Sequence, residues 1–310
     1  MPKPWRTPSK ACSTTWSCAS SSPPELARAP SRSPGIASPT ASKTSTPSCS
    51  RRRAPASRSS AERAGAGAKR PGSAPFRIPM TFEIPPRALV VFAHPDDADF
   101  GCSGTVAQWT AAGSAVVYCL LTSGNKGSHD LKATPAQVAR TREREQRAAA
   151  EALGVEKCVF LRHDDGELEV TMRLRGEVCR VIRDEKPDLV ICPDPWRPYQ
   201  THPDHRVAGW VGLDGVIAAR DHLFFPEQLR KGRAHHRAGR ILLFGTAEPN
   251  LIVDIGPTFE RKLAALHAHA SQPHNRERAE FDARMRSFAA TFGKPWGVSA
   301  AEAFRYIDRF

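Results

Sequence analysis

The feature that most constrains this chain is an alternation that begins at residue 88. Four short apolar runs, "ALVVFA" (88–93), "SAVVYCLLTSG" (114–124), "CVFL" (158–161) and "DLVICPDP" (188–195), are separated by longer stretches with helical character. Continuous apolar runs suit strands covered on both faces, and strands alternating with helices specify an α/β layer fold with a mainly parallel sheet flanked by helices. "SGTVAQWTAAG" predicts a helix ending at Gly113, "ATPAQVARTREREQRAAAEALG" (133–154) a long amphipathic helix stopped by Gly154, and "VTMRLRGEVCRVIRDEKP" a helix closed before Pro187. Beyond these, "RILLFGTA" and "LIVDI" read as strands and "TFERKLAALHAHASQ" as a helix, whereas "FPEQLRKGRAHHRAG" is irregular and reads as a loop or flap.

Organised sequence starts only after Met80. Residues 1–80 hold 14 Lys or Arg and two acids, Glu25 and Glu62, so they carry +12 of the formal +13 and leave the other 230 residues nearly neutral. Ser, Pro, Ala and Arg crowd this stretch without apolar periodicity, which predicts a disordered tail that cannot bury enough surface to offset chain entropy. A nucleic-acid arm, a transit peptide and a mis-assigned start upstream of Met80 all fit that composition, and the start artefact is favoured. The division is therefore a tail, 1–80, and one domain, 81–310, with no specific nucleic-acid partner expected. No apolar run reaches the roughly 20 residues of a membrane span, so a soluble protein is expected. The five cysteines of the organised part, Cys102, Cys119, Cys158, Cys179 and Cys192, have no CxxC spacing and read as buried small hydrophobes in a reducing cytoplasm.

Two of the apolar runs lead into polar clusters. "VVFA" runs into His94-Pro95-Asp96-Asp97, and "THPDHR", with His202, Asp204 and His205, follows the fourth run by about ten residues. In open α/β sheets the carboxyl ends of the strands are where ligands bind. Two His and one Asp from these clusters would supply the three protein ligands of a catalytic zinc, with a position left open for water. Adjacent carboxylates point in different directions, so one can ligate while the other takes a proton from water as general base. The two histidines of HPDH can divide labour likewise, one on the metal and the other, held by Asp204, stabilising an oxyanion and protonating a leaving amine. Either motif alone also fits a capped turn; their joint placement is what favours a site.

Together "AHPDDADFGCSGTVAQWTAAG", "TSGNKGS", "KPDLVICPDP" and "THPDHR" resemble the PIG-L/LmbE-like family of zinc-dependent N-acetylglucosaminyl deacetylases. The likeness spans about residues 86 to 308 and includes "RTREREQRAAAEALG", "DDGEL", "KLAALHAHASQ" and "AEAFR". It implies a Rossmann-like fold, zinc on His94, Asp97 and His205, Asp96 as general base, His202 acting on the transition state, and Asp204 supporting from behind. It also implies substrate contacts from Arg142 and Asp165. Ala98 and Asp99 follow Asp97 where many members have a Glu directly after the second Asp, so the catalytic core carries over but the substrate of any one branch does not. Fe²⁺ or Co²⁺ suits the same ligands as Zn²⁺.

The expected activity is hydrolytic removal of an acetyl group from an N-acetylated amino sugar or its glycoside, a small-molecule substrate, in the cytoplasm. An amidase of thiol conjugates or other small N-acyl compounds is the alternative, and a noncatalytic sugar- or metal-binding module is the rival from another class. The oligomeric state stays open, a homo-oligomer included. His235 and His236 are expected at the surface, His129 in a loop near the strand ends, and His269 on a helix face.

Overall fold

A computed structural model describes residues 82–275, 277–308 and 310; the expected tail, 1–80, lies outside the described residues. The seven strands β1 (Arg87–Phe92), β2 (Ala115–Thr122), β3 (Lys157–His163), β4 (Leu189–Pro193), β5 (Arg240–Phe244), β6 (Leu251–Asp254) and β7 (Ala301–Ile307) form one sheet. Their order is β3-β2-β1-β4-β5-β7-β6. β1 to β5 pair in parallel, and only β7 runs against its neighbours β5 and β6. The expectation of a mainly parallel, Rossmann-like sheet flanked by helices is met.

Eight α-helices cover the sheet: α1 (Asp97–Gly101), α2 (Ser103–Ala111), α3 (Pro135–Leu153), α4 (Met172–Glu185), α5 (Pro203–Arg220), α6 (Pro226–Leu229), α7 (Phe259–Ala268) and α8 (Arg278–Gly293). Successive β1 residues face opposite layers. Val90 and Phe92 pack with Trp109, Tyr118 and Leu263, whereas Leu89 and Val91 pack with Cys119, Val178 and Ile182. Burial of both faces explains why this strand reads as an unbroken apolar run.

Local signals set the helix ends. Thr134 and Gln137 form a reciprocal capping box before α3, Pro135 occupies its first position, and Gly154 closes it in the left-handed region at φ 74°. Thr171 caps α4, and Lys186 ends it at φ 48° just before Pro187. The segment expected as a loop or flap is irregular apart from the single turn of α6, and its start is anchored. The fully buried Arg183 donates to the carbonyls of Ala218, Asp221, Phe224 and Phe225 and to the Gln228 side chain. Periodicity also did not reveal α8, of which Phe281, Ala289 and Gly293 are buried, or β7 as a strand. Among the described residues no helix is long and apolar enough to cross a membrane.

The connectivity fixes where chemistry can occur. The chain steps outward from β1 to β2 and β3, then returns past β1 to β4, so neighbouring β1 and β4 send their continuations in opposite directions. A crevice opens at such a switch point beyond the strands' carboxyl ends. Both polar motifs leave the sheet there.

Candidate active site

The first motif turns at Asp96, which adopts φ 97° and ψ −24° as the chain leaves β1 for α1. Its carbonyl accepts from the backbone N–H groups of Asp99 and Phe100. Asp97 opens α1 and folds back, accepting from the backbone N–H of His94 at 2.8 Å. The second motif enters α5 with His202 at the N-cap, Pro203 at the first helical position and His205 in the first turn. A proline there leaves no extra donor unsatisfied.

These two turns bring three donor groups together. His94 Nδ1 lies 3.3 Å from His205 Nε2 and 3.4 Å from Asp97 Oδ2, and His205 Nε2 lies 3.0 Å from Asp97 Oδ1. Ligands at the usual zinc distances of about 2.0–2.1 Å in a tetrahedron would stand about 3.3 Å apart. The expected triad His94, Asp97 and His205 therefore fits a zinc-sized ion. His202 stacks on His205 with ring centres 4.7 Å apart and meets His94 edge-on at 4.6 Å, and its Nδ1 is buried without a hydrogen-bond partner.

The far side of the His94 ring differs. Nε2 faces Asp165 Oδ1 at 3.0 Å and Asp204 Oδ2 at 3.1 Å. His94, Asp165 and Asp204 thus also form a group of potential metal ligands, as do His94, His202 and His205. Asp204, however, is fully buried and already accepts from the backbone N–H groups of Gly166 at 2.7 Å and Leu168 at 3.3 Å. That carboxylate is committed to fixed donors. Two carboxylates at Nε2 hold a proton there, so Nδ1, which faces Asp97 and His205, is the nitrogen that could give up its proton to a cation, the arrangement in which an outer carboxylate orients a metal-binding imidazole.

Four residues expected from the sequence sit differently here. Asp204 holds His94 rather than His202, because the α5 helix start aims it under the first motif. Asp165, expected at the substrate, is half of the same pair of carboxylates on His94. Arg142, also expected at the substrate, is buried on α3 and donates to the Pro95 carbonyl, to Asp96 Oδ2 at 3.2 Å and to the Gly124 carbonyl at 3.4 Å. Its guanidinium holds the Asp96 carboxylate and the turn before it. His269, expected on a helix face, is fully buried and pairs with Asp99 Oδ2 at 2.8 Å.

Charge is tightly balanced in this crevice. Burial would lower the His94 pKa, but Asp97, Asp165 and Asp204 together push it up to about 12. Burial raises Asp97, yet His205 and His94 outweigh it and hold the carboxyl well below its ordinary range. Burial lifts Asp96 to about 7, with Arg142 pulling down and Asp97 pushing up. Burial and the two neighbouring imidazoles lower His202.

Asp97 and His205 also line a chamber of about 360 Å³ whose walls include Phe100, Phe244 and Phe288 together with Asp194, Arg197 and Gln200. Gly101 lets the Phe244 ring approach, since a Cβ there would sit 2.4 Å from it. Gln146 and Asp99, both fully buried, were missed in the sequence; the one available signal was that Gln146 follows Arg142 by a single turn of α3.

Comparisons with known proteins bear on this geometry. Residues 89–214 match the PIG-L family model, described as GlcNAc-PI de-N-acetylase. The chain is 37% identical over 232 residues to the diacetylchitobiose deacetylase of Thermococcus kodakarensis, covering 75% of this chain and 87% of that one. It is 29% identical to a probable N-acetyl-alpha-D-glucosaminyl L-malate deacetylase 2 of Bacillus cereus, covering 59% of this chain and 82% of that one. Among solved structures, the N,N'-diacetylchitobiose deacetylase of Pyrococcus horikoshii superposes with a TM-score of 0.70 at 32% identity, covering 75% of this chain and 88% of that one.

Proposed function

The chain belongs to the PIG-L, GlcNAc-PI de-N-acetylase family, and from that premise we propose that it is a zinc-dependent hydrolase removing an acetyl group from an N-acetylated amino sugar or its glycoside. The observation that carries this reading is the convergence of His94 Nδ1, the Asp97 carboxylate oxygens and His205 Nε2 at 3.0–3.4 Å, with Asp96 next to Asp97 in the chain and near enough to raise the His205 pKa. His94, Asp97 and His205 would hold the ion, Zn²⁺ first, with Fe²⁺ or Co²⁺ suited to the same donors. Such an ion, when bound, acidifies water and polarises an amide carbonyl.

The other steps belong to the chain's own side chains. Asp96 takes a proton from the attacking water as its oxygen bonds to the acetamide carbon. His202 donates its N–H to the oxygen that gains negative charge, and the proton taken by Asp96 passes to the nitrogen as the C–N bond breaks, leaving a free amine and acetic acid, which ionises to acetate. Asp204 and Asp165 keep the His94 proton on Nε2 throughout. The chamber suits a sugar, because phenylalanine rings cover apolar C–H faces and Asp194, Arg197 and Gln200 meet hydroxyls. Five described cysteines are free, which supports a reducing cytoplasm. We assign catalysis to residues 81–310, so a chain begun at Met80 keeps its activity.

The test pairs metal content with amine release over a panel of N-acetylglucosamine, diacetylchitobiose and N-acetylglucosaminides. One ion per chain with amine release is expected. Asp96→Asn should keep the ion and lose turnover by a factor on the order of 10²–10⁴. An ion bound without amine release from any member of the panel would make the protein a binding module instead.

A further inference from the structure

Asp96 holds a backbone conformation that side chains rarely adopt, at φ 97°. Such a conformation persists only where the surroundings over-determine it. Here the peptide unit joining Pro95 to Asp96 is gripped at both of its polar ends by residues one turn apart on α3. Arg142 Nη2 donates to the Pro95 carbonyl, and the Asp96 N–H donates to Gln146 Oε1 at 2.9 Å. Arg142 also reaches Asp96 Oδ2 at 3.2 Å. One helix thus fixes the backbone and the carboxylate together.

Gln146 owes its orientation to a second pair. Its Nε2 donates to Asp99 Oδ2 at 3.1 Å, and the same oxygen faces His269 Nε2 at 2.8 Å. A flipped amide would set oxygen against the Asp99 carboxylate and NH₂ against the Asp96 N–H. Both contacts would repel, so Asp99 and His269 dictate that the amide oxygen faces Asp96. Gln146, Asp99 and His269 are each 0% exposed, so bulk solvent does not reach the network to substitute for a lost partner.

From this chain of contacts we infer that Gln146 and His269 are positioning residues that set the carboxylate of Asp96. The inference rests on Asp96 being the general base. His269 supplies the donor that holds Asp99, Asp99 orients Gln146, and Gln146 holds the N–H of the strained residue. Neither Gln146 nor His269 is among the three metal donors, so the network acts on proton transfer and not on the ion.

The experiment compares Gln146→Leu, His269→Leu and His269→Gln in the full chain, reading hydrogen exchange at the Asp96 amide, bound metal, KM and kcat. Gln146→Leu should speed exchange at Asp96 by about tenfold or more and lower kcat by roughly 10–100-fold, as a displaced catalytic group does, with KM and metal content unchanged. His269→Leu should move both in the same direction, and His269→Gln, whose amide N–H can replace Nε2–H, should restore them. Should Gln146→Leu not fold, the His269 pair decides alone. Equal exchange at Asp96 in His269→Leu and the parent, or a kcat loss that only follows metal loss, overturns the inference. If the parent hydrolyses no N-acetylated amino sugar, the proposed activity fails while the exchange data still read the clamp.

Discussion

Two buried polar clusters, one around Lys262 and Glu302 and one around His94, Asp97 and His205, differ in how their side chains are partnered and exposed. In the cluster around Lys262 and Glu302 every carboxylate oxygen meets a donor. Glu302 accepts from the Gly104 and Thr105 N–H groups, the Thr105 hydroxyl and Lys262 Nζ at 2.6–3.0 Å, and both charged side chains are 5% exposed. Around His94, Asp97 and His205 two ring nitrogens face one carboxylate and each other at 3.0–3.4 Å, and a cation could take these groups in place of the ring protons. All of His205, Lys262 and Glu302 line the chamber, but the His205 side chain is 28% exposed against 5% for each of the other two, so the histidine cluster is the more open one.

The largest effect should come from removing a convergent donor. His205→Ala is expected to abolish stable metal binding, measured by metal analysis after gel filtration, and to lower turnover by about 10³-fold or more. Full metal retention would shift the centre to the Asp165–Asp204 side of His94 and break the comparison. Next, Lys262→Met should destabilise the fold by about 3–5 kcal/mol in urea, since it leaves Glu302 as a buried charge without its partner. The double variant Lys262→Met with Glu302→Met should recover part of that loss, and a single-variant loss under about 1 kcal/mol would mean water reaches the pair. Asp204→Asn should then weaken metal affinity by about 10–100-fold with the fold intact, because it loosens His94 without removing a donor. Unchanged affinity would deny Asp204 that part.

Local chemistry explains what the sequence disclosed. β1 and β4 are buried on both faces, so their composition announces them, and HPDD and THPDHR each pack several donors into a few residues. The capping box at Thr134 and the stop at Gly154 are likewise local. What stayed hidden depends on partners far along the chain. Asp99 reaches Gln146 47 residues away and His269 170 residues away, and nothing near any of the three marks the contact. β7 buries a charged Glu302 whose donors lie on α2, which spoils its apolar pattern, and Arg142 looks like one solvated charge among many until the fold turns it inward. The direction of Asp204 could not be read either, since choosing between His94 and His202 requires the relative placement of β1 and α5.

A third cluster of similar parts, at the surface, sharpens the contrast. Glu143 on α3 accepts from Ser123 at 2.7 Å, from Arg162 at 2.8 and 3.1 Å and from Arg147 at 3.2 Å, tying the ends of β2 and β3 to the helix. Burial would raise its pKa, but these donors, Arg162 foremost, hold it at about 2, against an ordinary value of 4.5. A carboxylate with a depressed folded-state pKa stabilises the fold fully above its unfolded value and loses that contribution as pH falls through the folded one. The window therefore runs from about pH 4.5 down to about pH 2. Arg162 and Arg147 are 65% and 52% exposed, so solvent screening reduces the effect; about 1 kcal/mol is expected rather than the full shift. The measurement is the difference in urea midpoint between the parent and Glu143→Gln. That difference should be constant from about pH 7 to 5 and shrink as pH falls further through the window. A difference as large as that for Lys262→Met would place Glu143 with the Lys262–Glu302 cluster, and exposure would no longer distinguish the two.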